Sequence, residues 1–158
     1  MLRLSISEIR RVLPAILLLY SFIPGQAVAD GHLVGKKIAD FTSKITSIQY
    51  LEDRNVLTVQ GDASGPFGTV GGTATFMTNT GYGASGHYSS RGMTFRSDGR
   101  VVRYTSNGLW KSLTKEGEAN HRWLIKTIGL NEDGARMFAV GIYELKTMTV
   151  KGEVYELD

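Results

Sequence analysis

The residues best suited to chemistry fall in two neighbouring stretches of alternating polarity. Thr73, Thr75, Met77 and Asn79 occupy every second position of one, and Ser85, His87, Ser89, Arg91 and Met93 every second position of the next. In an extended chain alternate side chains share a face, so His87 and Arg91 stand two face positions apart on one side of a strand. If that side lines an enclosed interior, the arginine can hold a carboxylate or polarise a carbonyl, and the histidine can move a proton. Glu153 is a second candidate proton carrier. The opposite parity puts Val70, Gly72, Ala74 and Phe76 inside and turns the polar set to water. That plainer reading is the favoured one.

The remaining motifs carry less chemistry. Gly81-Tyr82-Gly83-Ala84-Ser85-Gly86 matches G-x-G-x-x-G, but a dinucleotide site needs a helix at the third glycine, and the residues that follow alternate like a strand. A glycine-rich hairpin turn is expected there, and no cofactor. His32, His87 and His121 are too far apart in sequence for a local metal motif, and no metal site is expected. With no cysteine in the chain there is no disulfide, thiolate ligand or thiol nucleophile, and burial alone must stabilise the fold.

The elements that must position these residues read as strands. Glycine is abundant, proline scarce, and β-branched and aromatic residues recur in short runs between turn clusters. Eight strands are expected: 44–50, 55–60, 69–78, 85–96, 100–113, 121–130, 136–145 and 149–157. Asp98-Gly99 and Asp133-Gly134 mark two tight turns, because glycine accepts positive φ without steric cost. Consecutive hairpins with short connections favour an all-β, antiparallel up-and-down meander closing into a barrel, which removes exposed sheet edges. With eight strands the interior is just wide enough to be filled by side chains or to hold one small ligand.

Alternation chooses the inward faces. Charges at Arg103 and Lys111 push Val102, Tyr104, Ser106, Gly108 and Trp110 inward, and charges at Arg122 and Lys126 do the same for His121, Trp123, Ile125 and Thr127. The strand 136–145 is apolar on both faces, with Met137, Ala139, Gly141 and Tyr143 against Phe138, Val140 and Ile142. Its outer side calls for a cover, either residues 31–41 or a second subunit.

Residues 1–29 read as a cleavable secretion signal. Arg3, Arg10 and Arg11 precede an uncharged run over 12–23, and Ala27-Val28-Ala29 supplies the small residues a signal peptidase accepts, placing the cut between Ala29 and Asp30. The run is too short to span a bilayer, which takes roughly 20 residues. A single domain over 30–158 is expected, soluble in a bacterial periplasm or secreted. Three of the 18 Lys+Arg and one of the 15 Asp+Glu lie in the signal, so the remainder carries 15 against 14. A field that weak gives no drive to bind nucleic acid. An outer-membrane barrel is also disfavoured, because Arg103, Lys111 and Lys126 would face lipid.

Gly108-Leu109-Trp110 matches the G-x-W of the small ligand-carrying barrels of the lipocalin (calycin) group, although that family's motif opens the first strand and here it lies on the fifth. The plan of an exported, glycine-rich eight-stranded meander is also similar to the allene-oxide-cyclase-like barrels. The resemblance implies an apolar cup for a lipid-like or polycyclic molecule, with or without turnover. The leading expectation is a module that binds a small apolar or amphipathic molecule through Tyr104, Trp110, Trp123, Met137 and Tyr143. The alternative is a barrel enzyme of isomerase, cyclase or lyase type, in which His87 or Glu153 moves a proton and Arg91 holds an oxyanion.

Overall fold

The computed structural model describes residues 34–78, 84–115 and 118–157. The secretion signal, with its expected cleavage after Ala29, and Gly81-Tyr82-Gly83 lie outside these residues. The strands are β1 (Val34–Tyr50), β2 (Arg54–Ala63), β3 (Gly68–Thr78), β4 (Ser85–Phe95), β5 (Val101–Ser112), β6 (Arg122–Asn131), β7 (Arg136–Glu144) and β8 (Thr149–Leu157). Each pairs antiparallel with the next, and β1 pairs with β8, so the meander closes into a barrel. The expected fold class is the observed one, and the strand bounds agree to within a few residues except at β1.

Strand β1 begins ten residues earlier than its expected start at Lys44. Its first half pairs with β8, with two register shifts between Val34 and Ala39. Among the described residues, Val34–Phe41 is therefore not a cover over β7 but part of the wall that closes the barrel. Phe41 explains a local demand of this seam: its ring lies where side chains of Gly141 and Gly152 would project, and those two glycines are paired across β7 and β8. The Asp-Gly turns form as expected, with Gly99 and Gly134 both at positive φ.

The barrel interior is divided by height. Toward the end formed by the β1–β2, β5–β6 and β7–β8 connections it is packed solid by Ile45, Leu57, Phe76, Trp110, Trp123 and Val150, against which Leu145 and Met148 close. Phe76 is fully buried at the centre, with ring centroids at 4.7 Å from Trp123, 4.9 Å from Tyr143, 5.1 Å from Tyr88 and 5.9 Å from Trp110. The contacts with Tyr88, Trp110 and Tyr143 are edge-to-face and that with Trp123 is tilted, and aromatic pairs of this kind add about 0.5–1.5 kcal/mol each to the burial term. Both indole N–H groups are satisfied at this end, Trp110 donating to the Met77 carbonyl at 2.9 Å and Trp123 to Asn120 Oδ1 at 2.7 Å. The outer wall carries exposed Lys44, Arg91, Arg103, Lys111, Lys126 and Lys151.

Candidate functional site

Strand parity decides which of the chemically able residues meet. On β3, Ala74 and Phe76 are completely buried, and their partners across the β3–β4 ladder are Ser90 and Tyr88. The inward residues of β4 are therefore Gly86, Tyr88, Ser90, Gly92 and Thr94, and His87 and Arg91 point out to solvent. Burial of Phe76 and Tyr88 outweighs any gain from enclosing two polar side chains, so the inward His87–Arg91 arrangement does not form. Glu153 is also on the outside, where its carboxylate accepts hydrogen bonds from Lys37 Nζ at 2.9 Å and Tyr155 Oη at 2.6 Å. These two donors, Tyr155 first, hold the Glu153 carboxyl below its usual range. The three proton-transfer and oxyanion candidates thus share no site.

Above the packed half lies a cavity of about 130 Å³. It is at the end formed by the β2–β3, β4–β5 and β6–β7 turns, with Phe67 from the first of these at its outer limit. Phe41, Val70, Ile125, Met137, Ala139 and Val154 give it an apolar wall. Its lower boundary is polar: the Tyr88 and Tyr143 hydroxyls share a buried hydrogen bond of 3.0 Å, and the Ser90 and Ser106 hydroxyls share one of 2.7 Å. Thr127 belongs to the same belt. Its hydroxyl is fully buried and has no hydrogen-bond partner, a state that costs about 1–3 kcal/mol for a neutral group.

Of the residues expected to contact a ligand, Tyr104, Met137 and Tyr143 line this cavity. Trp110 and Trp123 point inward, as alternation required, but sit lower, in the packed cluster beneath it. Alternation assigns Ser106 and Thr127 to the inner face without a role, and it gives Ser90 and Phe41 no part in a site. The signal for Thr127 was there: a hydroxyl among inward Trp123, Ile125 and Gly129 is a polar atom in a core.

The electrostatics of the cavity are those of neutral donors. No Asp, Glu, His, Lys or Arg is among its lining residues, and the three tyrosines titrate well above neutrality. Burial pushes the Tyr104 hydroxyl up to about 12, with a smaller contribution from Tyr88. Burial likewise raises Tyr88 and, further, Tyr143. At neutral pH all three are protonated and able to donate a hydrogen bond, so the described lining offers proton donors and no base. Tyr104 differs from the other two in that its hydroxyl makes no hydrogen bond among the described residues. It lies instead against the backbone of Gly72 and Gly92, where an added Cβ would come within 3.0 Å and 2.8 Å of it. Among the described residues no group of His, Asp or Glu could hold a metal ion.

Fold and interior together define a class, a closed eight-stranded up-and-down barrel that is packed in one half and hollow in the other. In comparisons with protein-family models, curated proteins and solved structures, nothing matches the chain.

Proposed function

We propose that the protein is an exported, soluble barrel, calycin-like in plan, that binds one small uncharged molecule in its hollow half. The observation that carries this reading is the Thr127 hydroxyl, buried without a partner at the base of an apolar cavity. A ligand that presents a hydroxyl or carbonyl downward and an apolar ring or short chain upward would satisfy Thr127 and fill the space beside Met137 and Val70. Absence of charged lining residues favours neutral ligands, since an unpaired buried charge is costly. Size narrows the class further. Pockets for drug-sized ligands run from about 300 to 1,000 Å³, while an apolar cavity of about 150 Å³ takes a single benzene ring. A polycyclic or lipid-like ligand exceeds this cavity, and a one-ring molecule fits it.

The enzyme reading is weaker on these grounds. His87, Arg91 and Glu153 face water, and the tyrosines of the cavity can polarise a carbonyl but cannot accept a proton at neutral pH. Export rests on the signal-like residues 1–29, and a membrane-embedded barrel is opposed by the charges at mid-height on the outer wall.

Native mass spectrometry of protein recovered from the periplasm of its own cells tests the reading. The expected spectrum shows a chain beginning at Asp30 with one small neutral molecule bound, and phenol or acetophenone titrated into the stripped protein binds with one-to-one stoichiometry. A stripped barrel that takes up neither compound, with no co-purifying molecule, overturns it.

A further inference from the structure

We propose a second binding site on the outside of the barrel, a groove on the wall of β2–β5 that takes the anionic end of an amphipathic small molecule. The groove has a volume of about 660 Å³, five times that of the interior cavity. It exists because a side chain is missing. Gly71 faces outward between Gln60 and Met93, its partners on the two neighbouring strands. A Cβ placed there would meet nothing nearer than the Val59 carbonyl oxygen at 4.0 Å.

Around this depression the residues sort by chemistry. Met93 and Phe95 are exposed apolar side chains along one border. Arg91 and Arg103 also line it, and no carboxylate does. In the register of β4 and β5, Arg91 pairs with Thr105 and Met93 with Arg103, so the two guanidinium-bearing positions are diagonal neighbours. That spacing lies within reach of long side chains closing on one ligand group. Arg91 has no ion-pair partner among the described residues, and Glu132 approaches Arg103 only to 3.9 Å. Two arginines in this state can fork onto a single carboxylate or phosphate, while Met93 and Phe95 cover an apolar tail. The two concavities therefore select opposite ligands: the interior excludes charge, and the groove is built around it. The groove does not depend on the interior reading, since the two share only Val70 and Tyr104 among their lining residues and the arginines belong to the groove alone.

Isothermal titration calorimetry with dodecyl phosphate below its micelle concentration, and with dodecanol, tests the site. Vesicles of phosphatidylglycerol and of phosphatidylcholine form a parallel arm. Dodecyl phosphate is expected to bind the wild-type protein, about tenfold more weakly after either Arg91→Ala or Arg103→Ala. Gly71→Tyr, which fills the groove from a position open to solvent, abolishes binding, and Met93→Trp narrows the same space should the tyrosine disturb the strand. Thermal melts of each variant confirm that it is folded. Thr127→Val, inside the barrel, leaves this binding unchanged. Arginine-dependent binding of soluble dodecyl phosphate supports the site with a free amphiphile as ligand. The same dependence seen only on phosphatidylglycerol vesicles supports it with a lipid headgroup as ligand. Equal binding of dodecanol, binding that survives Gly71→Tyr and the Arg91→Ala/Arg103→Ala double variant, or binding to neither anionic form, overturns it.

Discussion

Replacing Thr127 by valine exchanges a hydroxyl for a methyl of nearly the same volume and removes, among the described residues, the one fully solvent-excluded side-chain polar atom of the cavity that has no partner. Thr127 is only 4% exposed, its backbone is held in the ladder between Gly108 and Ala139, and valine is at least as well suited to a strand. An unsatisfied buried hydroxyl costs about 1–3 kcal/mol, and deleting it while keeping the shape recovers part of that. We expect Thr127→Val to stabilise the empty protein by about 1 kcal/mol, raising Tm by roughly 3–5 °C for a domain of this size. Thr127→Ser, which keeps the hydroxyl and loses the methyl, should instead destabilise by about 1 kcal/mol.

Calorimetric or chemical unfolding of the ligand-free protein gives these values, and a phenol titration gives the second half of the prediction. The stabilised valine variant should bind phenol about tenfold more weakly, because one hydrogen bond is worth roughly 1 kcal/mol and its loss leaves the ligand's polar group unpaired. Stability up with affinity down is the signature of a group held in place for binding. If Thr127→Val is as unstable as Thr127→Ser, the hydroxyl already has a partner in solution, and the argument that it waits for a ligand fails.

Four further outcomes follow from the same geometry. Trp123→Ala should cost about 3–5 kcal/mol and Trp123→Phe much less, whereas Arg122→Ala and Lys126→Ala on the opposite face should stay within about 0.5 kcal/mol, all measured by urea unfolding. His87→Ala, Arg91→Ala and Glu153→Gln should leave phenol affinity unchanged, since all three side chains are on the outside; a large loss in any of them would refute the interior assignment. Stability should decline as pH falls below about 4. The carboxyls of Asp98, Asp133 and Glu153 are held below their usual range, Asp98 chiefly by the backbone and side chain of Arg100, Asp133 by the Ala135 N–H and then Arg96, and Glu153 by Tyr155 and then Lys37. A group with a lowered folded pKa stabilises above its unfolded pKa and loses that contribution on protonation, so an acid titration of Tm that stays flat to pH 2 would contradict these contacts. Far-ultraviolet circular dichroism should show β-structure with little helix, and the melt should be indifferent to reductant because the chain has no cysteine.

How much of this was legible in the sequence depends on where charge and glycine fall. On β5 and β6 the alternation of Arg103, Lys111, Arg122 and Lys126 with aromatic residues left one buried face, and Trp110, Trp123, Ile125 and Thr127 point inward as read. On β4 both faces are small or polar, so parity came only from the partner strand, where Phe76 and Ala74 needed burial. The start of β1 was hidden because Val34–Phe41 pairs with β8 through two irregularities, which break the alternation that marks a strand. Height along the barrel was beyond reach for a different reason. Alternation says which side of the wall a residue takes, but whether Trp123 lines a cavity or lies beneath it depends on the stagger of eight strands at once.

That stagger explains how one small barrel can hold both a stable core and an unsatisfied site. The rings around Phe76 and the two satisfied indoles concentrate stabilising contacts in one half, and β2 through β8 all contribute to that half through Leu57, Phe76, Tyr88, Trp110, Trp123, Tyr143 and Val150. The hollow half can then carry a costly hydroxyl and an unfilled volume without unfolding the whole, because each strand runs through both halves and is anchored in the packed one. The Tyr88–Tyr143 hydrogen bond marks the boundary: below it the barrel contains mainly apolar contacts, and above it the first groups encountered are Ser90, Ser106 and Thr127. A substitution in the packed half should therefore be felt as global stability, and one in the hollow half chiefly as a change in what the barrel will accept. Filling the hollow half separates these effects cleanly: Ala139→Leu, across the ladder from Thr127, should abolish phenol binding while leaving the unfolding transition cooperative. Loss of cooperativity in that variant would show that the two halves are not energetically distinct.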